Sequence, residues 1–89
     1  MKKCVIDGSR LADAAAIYRV LGDAFRLAPP IESNPDALGN ALGRYNGEPV
    51  AVVWRNAAQS AQVLGPQFAD LVDVLERAAA AGVLTLELG

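Results

Sequence analysis

Three short apolar runs, at residues 2–6, 50–54 and 83–88, are separated each time by a pair of helical patterns. A tight hairpin joins antiparallel strands, whereas parallel strands need a long crossover, usually helical. The order β-α-α-β-α-α-β therefore predicts an α/β fold, a parallel sheet with helical crossovers. The middle run, Val50-Ala51-Val52-Val53-Trp54, is uninterrupted and rich in β-branched residues, the composition of a strand buried on both faces.

The segments between the strands carry their own punctuation. Asp7-Gly8-Ser9 is a turn signal, and Asp13 is placed to cap a first helix whose Ile17, Leu21, Ala24 and Phe25 recur at helical spacing. That helix must stop near Leu27, because Pro29 and Pro30 follow and open a stiff loop ending at Ser33. Ser33 or Asn34 can cap a second helix over residues 34–45, with Pro35 at its first position and Asp36 at the positive end of its dipole. A third helix is predicted over 56–64, ended by Gly65 and Pro66. A fourth runs over 66–81, with Phe68, Leu71, Val72, Leu75, Ala78 and Ala79 inward and Gly82 as its cap.

Composition narrows the chemistry. The 89 residues, 53% of them hydrophobic, suit one domain with one modest core. Lys and Arg number 8 against 10 for Asp and Glu, a net charge of −2, so no basic stripe points to nucleic acid. The absence of histidine removes the commonest general base and metal ligand. No carboxylate spacing resembles a metal site, no glycine cluster resembles a phosphate loop, and no cofactor is expected. Glu32 and Asp36 could act as an acid–base pair, but a solvated loop and a helix start explain them more simply. Cys4 is the only cysteine and reads as a buried, inert thiol in a reducing compartment. The apolar run after Met1-Lys2-Lys3 is too short for a signal peptide, and no stretch approaches the ~20 residues of a membrane span. A soluble cytoplasmic protein, without membrane contact, is expected.

The second helix breaks a rule. With Leu38, Ala41, Leu42 and Tyr45 facing inward, a 3.6-residue period sends Asp36, Gly39, Asn40 and Gly43 outward. Each interior glycine costs a helix about 1 kcal/mol relative to alanine. Two bare positions beside a carboxylate and an amide make a flat polar surface that another protein could approach closely. Two plainer accounts stay open: a glycine relieving a clash within the chain, or a helix that ends near Gly43. Dipole complementarity alone would also account for Asp36, and packing alone for Tyr45.

Several segments together resemble the barstar family of ribonuclease inhibitors. Lys2-Lys3-Cys4-Val5-Ile6-Asp7-Gly8 is similar to the family's first strand, and Asn34-Pro35-Asp36-Ala37-Leu38 with Ala41-Leu42 to its second helix. Trp54-Arg55, Gln59-Ser60 and Leu64 match the strand-to-helix region, and Ala78 to Gly82 with Thr85 the end of the chain. The resemblance implies a single barstar-like domain over residues 1–89, a three-stranded parallel sheet covered by about four helices. It also implies a function, inhibition of a ribonuclease by the second helix and the loop before it, with an acidic side chain standing in for the RNA phosphate.

The resemblance carries over to individual positions. Asp36 and Asn34 match family contact residues, Gly43 matches a glycine at the contact surface, and Tyr45 stands where a tryptophan is found. Asn40 occupies the place of the central phosphate-mimicking aspartate, Gly39 that of an aromatic, Pro30 that of a contact tyrosine, and Arg77 that of a contacting glutamate, a pairing that a one-residue shift would give to Glu76 instead. With Ile31 and Glu32 from the loop, these ten positions form the expected partner-binding set. The expected partner is a small secreted bacterial ribonuclease of the guanyl-specific type, other than barnase itself, bound by a free monomer. A barstar-fold interaction module that no longer binds a nuclease is the main alternative, and a small enzyme the third.

Overall fold

The computed structural model describes residues 2–11, 13–27 and 32–89. The strands are β1 (Lys2–Asp7), β2 (Val50–Arg55) and β3 (Leu84–Leu88), and the helices are α1 (Ala14–Ala24), α2 (Pro35–Gly43), α3 (Ala57–Leu64) and α4 (Gln67–Ala80). The sheet is parallel in the order β1-β2-β3, with Lys2 level with Val50 and Val50 level with Leu84. A three-stranded parallel α/β fold with four helices among the described residues is thus what the element order foretold.

Local signals set most boundaries. The Asp13 carboxylate accepts the Ala16 N–H at 2.8 Å, and the Asn34 side-chain oxygen accepts the Ala37 N–H at 2.8 Å, so both predicted caps form. Gly82, with φ of 84°, closes α4: its N–H and that of Val83 reach the Ala79 and Ala78 carbonyls at 3.0 Å each. The end of α1 differs from expectation. The helix stops at Ala24 rather than near Leu27, because Arg26 adopts a left-handed φ of 54°. The Leu27 N–H then returns to the Gly22 carbonyl at 2.9 Å, closing a Schellman turn with arginine in glycine's usual place. The loop reading at residues 28–31 lies outside the described residues.

The core lies on one face of the sheet. Cys4 and Ile6, Val50, Val52 and Trp54, and Leu84 point into it, meeting Ile17, Leu21, Leu38, Leu42, Leu71 and Leu75 from the helices. Burial raises the Cys4 thiol pKa above its ordinary value. β2 corrects the expectation of burial on both faces, since Ala51 and Val53 are half-buried and share their side with exposed Lys3, Val5, Thr85 and Glu87. The central strand has neighbours on both edges but its helices on one side, so its run of apolar residues reflects β propensity as much as burial.

At one end of the sheet β1 and β2 are locked together. Asn56, in a left-handed conformation with φ of 56°, donates from its amide to the Asp7 carboxylate at 2.9 Å. The Ser9 hydroxyl and N–H reach the same oxygen at 2.6 and 3.0 Å. These donors, the Ser9 hydroxyl foremost, then the Asn56 amide and the Ser9 N–H, hold the Asp7 pKa down at about 2. Beneath them the buried Trp54 indole N–H donates to the fully buried Ser60 hydroxyl at 2.9 Å. Gly8 passes so close that a Cβ there would overlap the Asn56 carbonyl and the Ser60 hydroxyl.

Candidate partner-binding site

α2 is held at both ends. Pro35 needs no N–H donor at the first turn, and Asn34 is fully engaged: its oxygen caps the helix and its amide donates to the Glu32 carboxylate at 3.2 Å. Leu38 and Leu42 anchor the helix in the core. Beyond its last residue, Gly43, the Tyr45 ring meets Phe25 edge-on, with centroids 5.0 Å apart, and its hydroxyl donates to the Glu48 carbonyl. Tyr45 is therefore a half-buried buttress of the helix end, as the packing account of this residue had it.

α4 packs along the flank of α2, and this contact corrects the placing of Gly39. The residue is half-buried rather than outward, because α2 has two neighbours, the sheet and α4, and Gly39 lies towards the second. A Cβ at Gly39 would meet the Val74 methyls at 3.6 and 3.8 Å, ordinary contact distances, so no clash requires glycine here. Gly43 is exposed, and a Cβ there would meet nothing within 4 Å. The fold thus tolerates side chains at both positions.

Between α2 and α4 lies an open groove of about 720 Å³. Asp36, Gly39, Asn40 and Gly43 line one wall, and Val74, Arg77, Ala78 and Ala81 the other. Five of the sequence-derived positions, Asp36, Gly39, Asn40, Gly43 and Arg77, meet in this groove. Glu32 and Asn34 lie just before the helix, Tyr45 lies outside the groove lining, and Pro30 and Ile31 fall outside the described residues. Asp36 and Asn40 are exposed, and their side-chain polar atoms have no hydrogen-bond or ion-pair partner among the described residues. Arg77 is committed to Asp73, 3.0 Å away and one turn back on α4.

Val74, which forms the wall opposite Gly39, was missed in the sequence. Val74, Ala78 and Ala81 at i, i+4 and i+7 are a second apolar stripe on α4, a signal that this helix has another packing surface. No group of three or more potential metal ligands occurs among the described residues, and no described helix is long and apolar enough to cross a membrane.

The chain is thus a small parallel α/β protein with a polar-rimmed groove beside one short, firmly capped helix. The sequence supplies the particular family: the family model described as Barstar (barnase inhibitor) matches residues 1–85, nearly the whole chain, and the chain belongs to this family. It is barnase-inhibitor-like by descent, and its family implies a ribonuclease partner. No curated protein matches the sequence closely.

Proposed function

We propose that the chain is an intracellular inhibitor, or immunity protein, of a ribonuclease other than barnase, and that α2 and the loop before it block the enzyme's active site. The observation that carries this reading is the convergence of Asp36, Gly39, Asn40, Gly43 and Arg77 on one groove of a barstar-family fold. Asp36 supplies a free carboxylate at the start of the helix, suited to the basic residues of a phosphodiester-cleaving site. Asn40 supplies an amide where the family resemblance calls for an acid. A neutral amide forms weaker bonds to arginine than a carboxylate does, and loss of a buried hot-spot acid removes much of an interface's energy.

The target is therefore a different small secreted ribonuclease, bound in the cytosol by a protein that is monomeric when free. Inhibition assays against a panel of guanyl-specific bacterial ribonucleases test this reading. One or more should be inhibited stoichiometrically, with Asp36→Ala weakening the complex while its circular dichroism stays unchanged. A nanomolar complex with barnase at physiological salt would overturn the choice of target. The missing carboxylate at Asn40 favours one second reading, an interaction module that has left nuclease binding behind. Recovery from native cytosol of partners that all lack nuclease activity would support it.

A further inference from the structure

The chain holds four asparagines, and the fold treats one of them differently. Asn34 is committed to capping α2, and Pro35 after it has no N–H. Asn40 is followed by Ala41, whose N–H lies within the hydrogen-bonded body of α2. Asn56 donates to Asp7, and the N–H of the following Ala57 donates to the Gly89 carbonyl at 3.0 Å. Asn46 lies in the exposed loop between α2 and β2, and neither its side chain nor the Gly47 N–H is bonded to any described residue. Among the four, this is the one asparagine with both a free amide and a free following N–H.

The loop passes tightly against the end of α2. The Tyr45 hydroxyl donates to the Glu48 carbonyl, so Asn46 and Gly47 are the two residues which that bond encloses. A Cβ at Gly47 would lie 2.7 Å from the Tyr45 hydroxyl oxygen, and the Tyr45 ring is pinned in turn against Phe25. The packing therefore calls for glycine after Asn46. Glycine is also the residue whose nitrogen is least hindered in attacking the side chain before it. We propose that Asn46 is a covalent modification site, which deamidates through a succinimide closed with Gly47 and thereby frees Tyr45 from the end of α2.

Hydroxide removes the Gly47 amide proton, and the nitrogen attacks Cγ of Asn46. The N–Cγ bond forms, the Cγ–Nδ2 bond breaks, and ammonia leaves with the proton. Water then opens the ring. Cleavage at Cγ leaves aspartate, whereas cleavage at the main-chain carbonyl leaves isoaspartate, with the chain routed through Cβ. Overall one water is consumed and one ammonia released, with no change of oxidation state. Both products place a negative charge just beyond Gly43, the end of α2, where the helix dipole is itself negative. Isoaspartate also lengthens the segment spanned by the Tyr45–Glu48 bond, so that bond no longer closes. The end of α2 belongs to the surface that the inhibitor reading uses, and the effect on a partner rests on that reading.

The test ages the whole chain at neutral and at alkaline pH. Each asparagine is followed by peptide mass and by labelling with a protein-isoaspartate methyltransferase. Conversion is expected at Asn46, faster in proportion to hydroxide, with Asn40 and Asn56 slower by at least about tenfold because each must first open locally. Asn46→Gln should remove the fast phase, since closure then needs a larger ring. Equal conversion at Asn40 or Asn56, or an intact Asn46 when the free peptide of residues 44–49 has fully reacted, would overturn the site. In the converted protein the nuclear Overhauser contacts between the Tyr45 and Phe25 rings should be lost, and their survival would defeat the release of Tyr45. A ribonuclease inhibited by fresh protein should be inhibited more weakly by aged wild type than by aged Asn46→Gln. Conversion at Asn46 in a chain that inhibits no ribonuclease even when fresh supports the site and counts against the inhibitor reading instead.

Discussion

Gly8 and Gly39 stand in opposite steric situations. Gly8 threads a crowded corner, where any side chain would collide with the Asn56 carbonyl and the Ser60 hydroxyl. Gly39 lies against α4 with room for a methyl at normal contact distance, and Gly43 has open space. In the first region the fold demands glycine. In the second it merely permits it: α2 ends at Gly43 rather than running to Tyr45, as the plainer account of that glycine had it, so only Gly39, inside the helix, costs stability. That contrast teaches where to look for function: a residue that costs stability without serving packing is accounted for by what it does at the surface.

Substitutions can break or sharpen this comparison. The largest effect is expected from Gly8→Ala, where a backbone carbonyl must move, with a loss of about 3 kcal/mol in urea unfolding. Near-neutral behaviour would mean that the corner is plastic and the contrast false. Ser60→Ala leaves the buried Trp54 N–H without its acceptor and should cost about 2 kcal/mol, seen as a lower unfolding midpoint with an unchanged m-value. Gly39→Ala should act in the opposite direction, raising stability by about 0.5–1 kcal/mol in the same assay while weakening partner binding. If it destabilises the protein, Gly39 is a packing glycine after all.

The smallest effect belongs to Asp7. Its folded-state pKa, near 2, lies below the ordinary 3.8, so its contribution is complete above about pH 4 and fades as pH falls through about 2. The stability gap between wild type and Asp7→Ala, followed by urea unfolding, should close across that window.

Much of the architecture was legible from short-range signals. Asp13, Asn34 and Gly82 announced their caps because capping depends on residues only a few positions apart. Leu38 and Leu42 announced their burial through helical spacing. What escaped the sequence is what distant elements decide. Periodicity identifies an inward stripe, but it does not reveal that a second helix lies along the flank of α2, so Gly39 was assigned to solvent. The Asp7–Asn56 bond joins residues 49 positions apart, and the burial of Ser60 follows from its tie to Trp54. The composition of β2 was misleading, since valines suit a strand whether or not its second face is covered. The candidate positions on α2, and Arg77 on α4, were named from the sequence and line one groove, while Val74 opposite Gly39 was not.

The register of the sheet has a kinetic consequence. Lys2 pairs with Val50 and Val50 with Leu84, so every ladder joins stretches of chain separated by two whole helices. No hairpin can nucleate early; one long loop must close before the first inter-strand hydrogen bond forms, and a second before the sheet is complete. The chain is expected to fold slowly for its size. Its rate-limiting barrier should be crossed as β2 gathers β1 and β3 onto itself, with Val52→Ala slowing refolding more than a substitution on the exposed face of α4.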